Sequence, residues 1–164
     1  MSARVAVLMG SLSDREVVAP AIATLDELGV ASTWRVLSAH RTPAQTAEFI
    51  RTAEAEGVQV FIAAAGGAAH LAGTVAAHTA RPVIGIPVAS PALGGLDSLL
   101  STVQMPPGVP VATVGIDGAR NAALLAVAIL ALADAGLAAR LADFRRRQTE
   151  KVLASDAELR AAKP

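Results

Sequence analysis

Hydrophobic positions in this chain come as short unbroken runs separated by longer amphipathic stretches. Residues 4–9 (RVAVLM) form such a run with no strict polar alternation, the pattern of a strand covered on both faces. Residues 33–37, 59–64, 82–88 and 111–116 repeat it, which predicts about five strands. The stretches between them carry helical periodicity and helical punctuation. Ser13-Asp14-Arg15-Glu16 has the spacing of a capping box, with Ser13 as N-cap, and opens a helix that Gly29 stops. Pro20 falls inside this helix and should kink or loosen its first turns. Thr42 before Pro43 predicts a second helix from 43 to about 56, ended by Gly57. Further helices are expected over 71–78, 96–103 and 119–133, with Gly136 as the stop of the last of these. Residues 105–110 contain three prolines and read as a rigid connector. A final helix runs from 137 to about 153, and the polar tail from Ser155 is expected to fray.

Strands alternating with helices imply a parallel sheet covered on both faces with right-handed crossovers. Five units in this length predict an α/β, flavodoxin-like, three-layer α/β/α domain with a doubly wound sheet. No repeat or linker divides residues 1–164. In such folds ligands bind outside the carboxyl ends of the strands, near the switch in strand order. The loops after the first four strands therefore gather on one edge, and these are the loops with unusual sequences.

Composition narrows the function classes. Of the 164 residues 53% are hydrophobic and only 17% charged, and much of the apolar excess is alanine. Small side chains in surplus need burial, and a symmetric oligomer supplies it. The longest apolar run, 122–133, is well short of the ~20 residues that span a bilayer. Residues 5–9 are too short for a signal-peptide core, so a cytoplasmic protein is expected. Acidic and basic residues balance at 14 each, which gives no general attraction to nucleic acid or membrane. The absence of cysteine excludes disulfides, thiolate metal sites and cysteine nucleophiles. The three histidines lack the paired spacing of a helical zinc motif, and no metal site is expected.

Chemistry concentrates in Leu37-Ser38-Ala39-His40-Arg41-Thr42-Pro43, a strand end that becomes a helix start. It exposes an imidazole, which titrates near neutral pH, beside a guanidinium suited to phosphate. The first loop, Gly10-Ser11-Leu12-Ser13-Asp14, offers two hydroxyls and helix-terminal amides to an anion, and Asp14 to ribose hydroxyls; it reads equally as a plain helix cap. In the third loop Gly66, Gly67, Ala68 and Ala69 let backbone approach a planar ring or carboxylate, or pack a helix closely. His70 either points into the site or caps the next helix. His78 reads as a surface or core-packing residue, Trp34 as core, and Arg145-Arg146-Arg147 as a solvated or subunit-contacting face. Ser90 and Asp97-Ser98 form either a closing loop or an ordinary helix start. These residues point to a small phosphorylated ligand and a histidine acid/base.

Beyond that point the sequence resembles a known family. Gly10 to Asp14, Ser38-Ala39-His40-Arg41-Thr42-Pro43, Gly66-Gly67-Ala68-Ala69-His70-Leu71, Leu96-Asp97-Ser98-Leu99-Leu100-Ser101 with Val103-Gln104-Met105-Pro106, and Asn121 to Leu125 are similar, in order, to the class I PurE family. These are N5-carboxyaminoimidazole ribonucleotide (N5-CAIR) mutases of purine biosynthesis. The resemblance implies a homo-octamer whose C-terminal helix (about 137–154) packs on a neighbour, and a functional link to an ATP-dependent N5-CAIR synthetase. It implies His40 and His70 as catalytic residues, His40 moving the proton. Ser11, Ser13 and Arg41 would hold the phosphate and Asp14 the ribose. Ser38 and Ala39 would complete the pocket, with Gly66, Gly67, Ala68, His70 and Leu71 around the ring and migrating carboxylate. No ATP, metal or organic cofactor is implied.

The sequence departs from the family pattern at Arg15 in place of an apolar residue, Ala64 in place of glycine and Ala72 in place of proline, and the turn before Asn121 is shorter. Three other readings stand beside the mutase: a class II-type carboxylase using free carbon dioxide, a paralogue with a changed substrate, and a nonenzymatic nucleotide-binding protein. The Arg41-Thr42-Pro43 and Gly-Gly-Ala-Ala-His motifs favour class I.

Overall fold

The computed structural model describes residues 3–162. Its five strands are β1 (Val5–Met9), β2 (Ser32–Val36), β3 (Val60–Gly66), β4 (Val83–Val88) and β5 (Ala112–Thr113). All pair in parallel, in the order β2-β1-β3-β4-β5. The helices are α1 (Arg15–Glu27), α2 (Pro43–Ala55), α3 (Leu71–Ala77), α4 (Leu96–Val103), α5 (Ala119–Ala131) and α6 (Ala135–Ala161). This is the doubly wound α/β arrangement expected from the alternation. The strand order reverses between β1 and β3, so a crevice opens at their carboxyl ends.

Alternate residues of the central strands feed two cores. Val5, Val7, Met9, Ile62, Ala64, Ile84 and Ile86 face α1, α5 and α6, while Ala6, Leu8, Phe61 and Ala63 face α2 and α3. Period-two alternation with both sides apolar is why these strands read as unbroken hydrophobic runs. The buried face of α5 is Ala119, Ala122, Ala123, Ala126, Val127 and Leu130, small enough for close packing against α1.

Several local expectations shift. The capping box forms two residues earlier than predicted. Ser11 caps a 3₁₀ turn (Leu12–Asp14), with the Asp14 side chain returning to the Ser11 N–H, and α1 follows directly. Helix α1 runs on through Pro20 to Glu27, and the Thr24 hydroxyl donates to the Pro20 carbonyl at 2.7 Å. The fifth strand shrinks to two residues, because only Ile84 and Gly85 of β4 have partners there. Gly136 lies inside α6, not at the end of α5; the stop is the turn capped by Asp134. Trp34 is 42% exposed because β2 is an edge strand, and the Arg15 guanidinium covers its ring at 5.7 Å. That contact gives the unusual Arg15 a structural role.

The last helix also outruns its expected end. It continues to Ala161, with Arg146 bridging Asp143 and Glu150 and Arg147 reaching Asp143 and Glu27. Of the tail expected to fray, residues 155–161 are therefore helical, and 163–164 lie outside the described residues, as do 1–2. Leu137, Leu141 and Phe144 bury the first half of α6, whereas Val152, Leu153 and Leu159 in its second half are exposed. No helix among the described residues is long and apolar enough to cross a membrane.

Asp134 joins the start of α6 to β1. It accepts the Leu137 N–H at 2.9 Å and pairs with Arg4 at 2.7 Å. The backbone hydrogen bond first, and Arg4 second, hold its carboxyl below the usual value of 3.8. A depressed folded-state value contributes stability above the ordinary carboxylate range that is lost as pH falls through the folded value. Asp134→Asn should therefore melt below the parent at neutral pH, and the gap should close in acid. A gap that persists unchanged in melts taken well below pH 3.8 would argue that charge is not the cause.

Candidate active site

The crevice at the switch in strand order is a cleft of about 240 Å³ lined by three successive loops. Ser11, Ser13 and Asp14 come from the turn after β1, Ser38, Ala39, His40 and Arg41 from the loop after β2, and Gly66, Ala68, His70 and Leu71 from the loop after β3. Gly10 and Ala65, which sequence reasoning did not assign to the site, complete the wall. Gly10 contributes its carbonyl, and the abrupt Gly-Ser turn after β1 was the signal that could have marked it.

The first wall is an ordered hydroxyl and carboxylate group. Asp14 is buried, its Oδ2 accepting the Ser11 N–H at 3.1 Å and its Oδ1 the Ser13 hydroxyl at 3.3 Å. The Ser13 hydroxyl also lies 2.9 Å from Ser11 Oγ. These contacts fix the Asp14 carboxylate against the crevice floor, and they show why the helix-cap reading and the ligand reading of this loop are compatible.

The second wall is closed by its own side chains. The Thr42 hydroxyl accepts the Ser38 N–H at 2.8 Å and reaches the Ser38 carbonyl at 3.1 Å, so it cinches the loop where a helix cap was expected. Arg41 then crosses to the first loop: its Nη2 donates to the Gly10 carbonyl at 3.0 Å and its Nε approaches Ser38 Oγ at 3.4 Å. A guanidinium held this way keeps further donors for a ligand in the cleft that Ser11 and Ser13 also line.

The third loop brings the second imidazole. His40 Nε2 and His70 Nδ1 are 2.8 Å apart, with the rings edge-to-face at 75°. His70 stands at the cap position of α3 yet makes no capping bond, so its ring serves the cleft. A nitrogen-to-nitrogen contact of this length carries one proton, donated by one ring into the lone pair of the other. The two histidines thus form one proton-holding unit drawn from two strand ends.

Other sequence candidates lie elsewhere. Gly67 does not line the cleft; its N–H donates to Ser98 Oγ at 2.8 Å. The loop after β4 is not a closing flap in this structure. Ser90 donates to both oxygens of Asp97 at 2.9 and 2.8 Å, and the Ala89 N–H donates to Asp117, which ties the segment to α4 and to the turn before α5. His78 is a surface residue bonded to the Thr74 carbonyl. Among the described residues no group of three or more histidine, aspartate or glutamate side chains could hold a metal ion.

Comparison with known proteins agrees with this architecture. The sequence model of the AIR carboxylase family matches residues 4–151. The chain belongs to that family. It is 56% identical over 154 residues to an N5-carboxyaminoimidazole ribonucleotide mutase of Brucella melitensis, covering 93% of this chain and 95% of the relative. Mutases of the same name from Mycobacterium tuberculosis (56% over 156 residues; 95% and 90% covered) and Methanocaldococcus jannaschii (50% over 156 residues; 95% and 97% covered) are also similar. The crystal structure of Treponema denticola PurE superimposes with a TM-score of 0.88 at 29% identity, over 94% of this chain and 97% of that one.

Proposed function

We propose that the chain is an N5-CAIR mutase, an isomerase that moves a carboxylate from the exocyclic nitrogen of the aminoimidazole to the adjacent ring carbon. Relatives at 50–59% identity bear that name across both bacteria and archaea. The single observation that carries the reading in this chain is the 2.8 Å contact between His40 and His70 inside the hydroxyl- and guanidinium-lined cleft.

The reaction needs one proton moved twice. As the N–carboxylate bond breaks, His40 protonates the nitrogen, leaving aminoimidazole ribonucleotide and carbon dioxide in the cleft. The ring carbon then attacks the carbon dioxide, forming the new C–C bond, and neutral His40 removes the proton from that carbon to restore the aromatic ring. Atoms and charge balance without ATP, added bicarbonate or a redox partner. One imidazole acts as general acid and then as general base. His70, in contact with His40 Nε2 at 2.8 Å, holds the His40 ring in place while it gives up and regains that proton. Arg41, Ser11 and Ser13 hold the phosphate, Asp14 the ribose hydroxyls, and Ser38, Ala39, Gly66, Ala68 and Leu71 the ring, so that carbon dioxide recombines before it escapes. Gly67 supports the same wall from behind.

Assembly as a homo-octamer belongs to the same reading, supported by exposed Leu96, Leu100 and Val103 along one face of α4 and by the apolar residues of the outer half of α6. A cytoplasmic location and a functional link to an ATP-dependent synthetase that supplies the N-carboxylated nucleotide complete it. The deciding assay supplies N5-CAIR without ATP or bicarbonate and follows the carbon-carboxylated product. Rapid conversion is expected. Product formed only from aminoimidazole ribonucleotide with added carbon dioxide would instead assign the class II reaction, and no conversion of either would remove the enzyme reading.

A further inference from the structure

We infer that Ser98, on the first turn of α4, is a positioning residue that sets the glycine-rich loop and, through it, the ring of His70. The starting point is the β3–β4 ladder. Phe61 donates its N–H to the Pro82 carbonyl at 3.0 Å, and the register runs from Phe61 opposite Val83 to Gly66 opposite Val88. In a parallel ladder donation recurs at every second residue, so the series 61, 63, 65 leads to Gly67 donating to the Val88 carbonyl. That rung is not made directly. The hydroxyl of Ser98 stands inside it, accepting the Gly67 N–H at 2.8 Å and donating to the Val88 carbonyl at 2.6 Å.

Ser98 is fully buried, so water cannot take over either bond. The inserted hydroxyl holds the two strands apart at the point where β3 must leave the sheet. Gly67 there adopts φ +62°, a left-handed conformation that turns the chain toward the cleft. From Gly67 the order passes along the backbone. Its carbonyl accepts the Ala69 N–H at 2.8 Å, the Ala68 carbonyl accepts the His70 N–H at 2.8 Å, and His70 then meets His40. Ser101, one turn further along α4, bonds the Asp97 carbonyl at 2.6 Å and lies 3.4 Å from the Gly67 carbonyl, steadying the same turn.

Without the hydroxyl the ladder closes by one direct bond from Gly67 to Val88, which draws the loop toward β4 and pulls His70 off His40. The inference rests on the proposed mutase reading, because His70 matters only if the paired imidazoles move a proton. The experiment compares Ser98→Ala, Ser98→Cys and Ser98→Thr in the full-length protein. It reads imidazole nitrogen NMR signals of His40 and His70 without substrate, and kcat and KM for N5-CAIR. Ser98→Ala should melt cooperatively, lose the ring-contact signature and lose about 10²-fold in kcat, the scale of a misplaced reacting group. KM should change less than kcat, since the phosphate-holding Ser11, Ser13 and Arg41 stand on other loops and only the ring contacts of Gly66, Ala68 and Leu71 move. Ser98→Thr, which keeps the hydroxyl, should retain both properties.

Ser98→Cys, with a weak donor and a longer bond, should show a partial loss, and it decides the matter if Ser98→Ala does not fold. Unaltered ring signals and kcat in the folded alanine or cysteine variant overturn the inference. So does a loss that threonine fails to restore. If the parent protein does not convert N5-CAIR, the reaction assignment falls, while the ring signals still decide what Ser98 does.

Discussion

Replacing His40 with asparagine should lower turnover by about 10²- to 10⁴-fold, the range associated with a positioned general acid or base. Asparagine keeps a polar group at the mouth of the cleft but cannot exchange a proton near neutral pH. The groups proposed to hold phosphate and ribose, Arg41, Ser11, Ser13 and Asp14, are bonded to Gly10, to Ser38 and to one another, and none of those bonds involves His40. Binding of the product nucleotide should therefore survive. Calorimetric titration alongside steady-state kinetics separates the two effects. Wild-type turnover in the variant would remove His40 from the chemistry, and loss of binding equal to the loss of turnover would make it a binding residue instead.

Gly85→Ala should be the most damaging single methyl addition in the core. A Cβ at Gly85 would sit 2.4 Å from Thr102 Cγ2, 3.0 Å from Val111 Cγ1 and 3.3 Å from Ala72 Cβ. Gly85 lies in β4, paired with Ala63 on one side and Thr113 on the other, so the backbone cannot retreat from α4 without opening the ladder. Overpacking of this kind costs about 1–3 kcal/mol. For a domain of this size each kcal/mol lowers the melting temperature by about 2–4 °C.

The closest contact names its own rescue. Thr102→Ser removes Cγ2 but keeps the hydroxyl that donates to the Ser98 carbonyl at 2.7 Å. In a double-mutant cycle at matched protein concentration, Gly85→Ala should cost less in the Thr102→Ser background than alone. Additive melting shifts would show that the clash is relieved elsewhere. Ala72 shares the space between α3, β4 and α4 that Gly85 leaves open.

The elements of the fold were largely legible in the chain because burial on both faces leaves an unmistakable run of apolar residues. Residues 4–9, 59–64 and 82–88 became β1, β3 and β4 within two residues at each end. The weaker assignments fell where the sheet is least covered. Trp34 was read as core, but an edge strand has a neighbour on only one side, and aromatic content cannot report which strand is the edge. The first cap was misplaced by two residues, Ser11 serving where Ser13 was expected, and Thr42 stands at its expected cap position but spends its hydroxyl on Ser38, because short hydroxyl side chains serve caps and loop closures equally well.

Local sequence determined which residues carry chemistry: an imidazole and a guanidinium at one strand end, hydroxyls and a carboxylate at another, and a glycine-rich turn with a second imidazole at a third. Those features follow from residue type and from the strand-to-helix transitions that expose them. Tertiary structure alone decided that His40 and His70 touch, that Arg41 spans to the Gly10 carbonyl, and that Ser98 occupies a missing rung between β3 and β4. The His40–His70, Arg41–Gly10 and Ser98–Gly67 contacts join segments 30 or more positions apart in the chain, and such contacts depend on strand order and register, which no local pattern encodes.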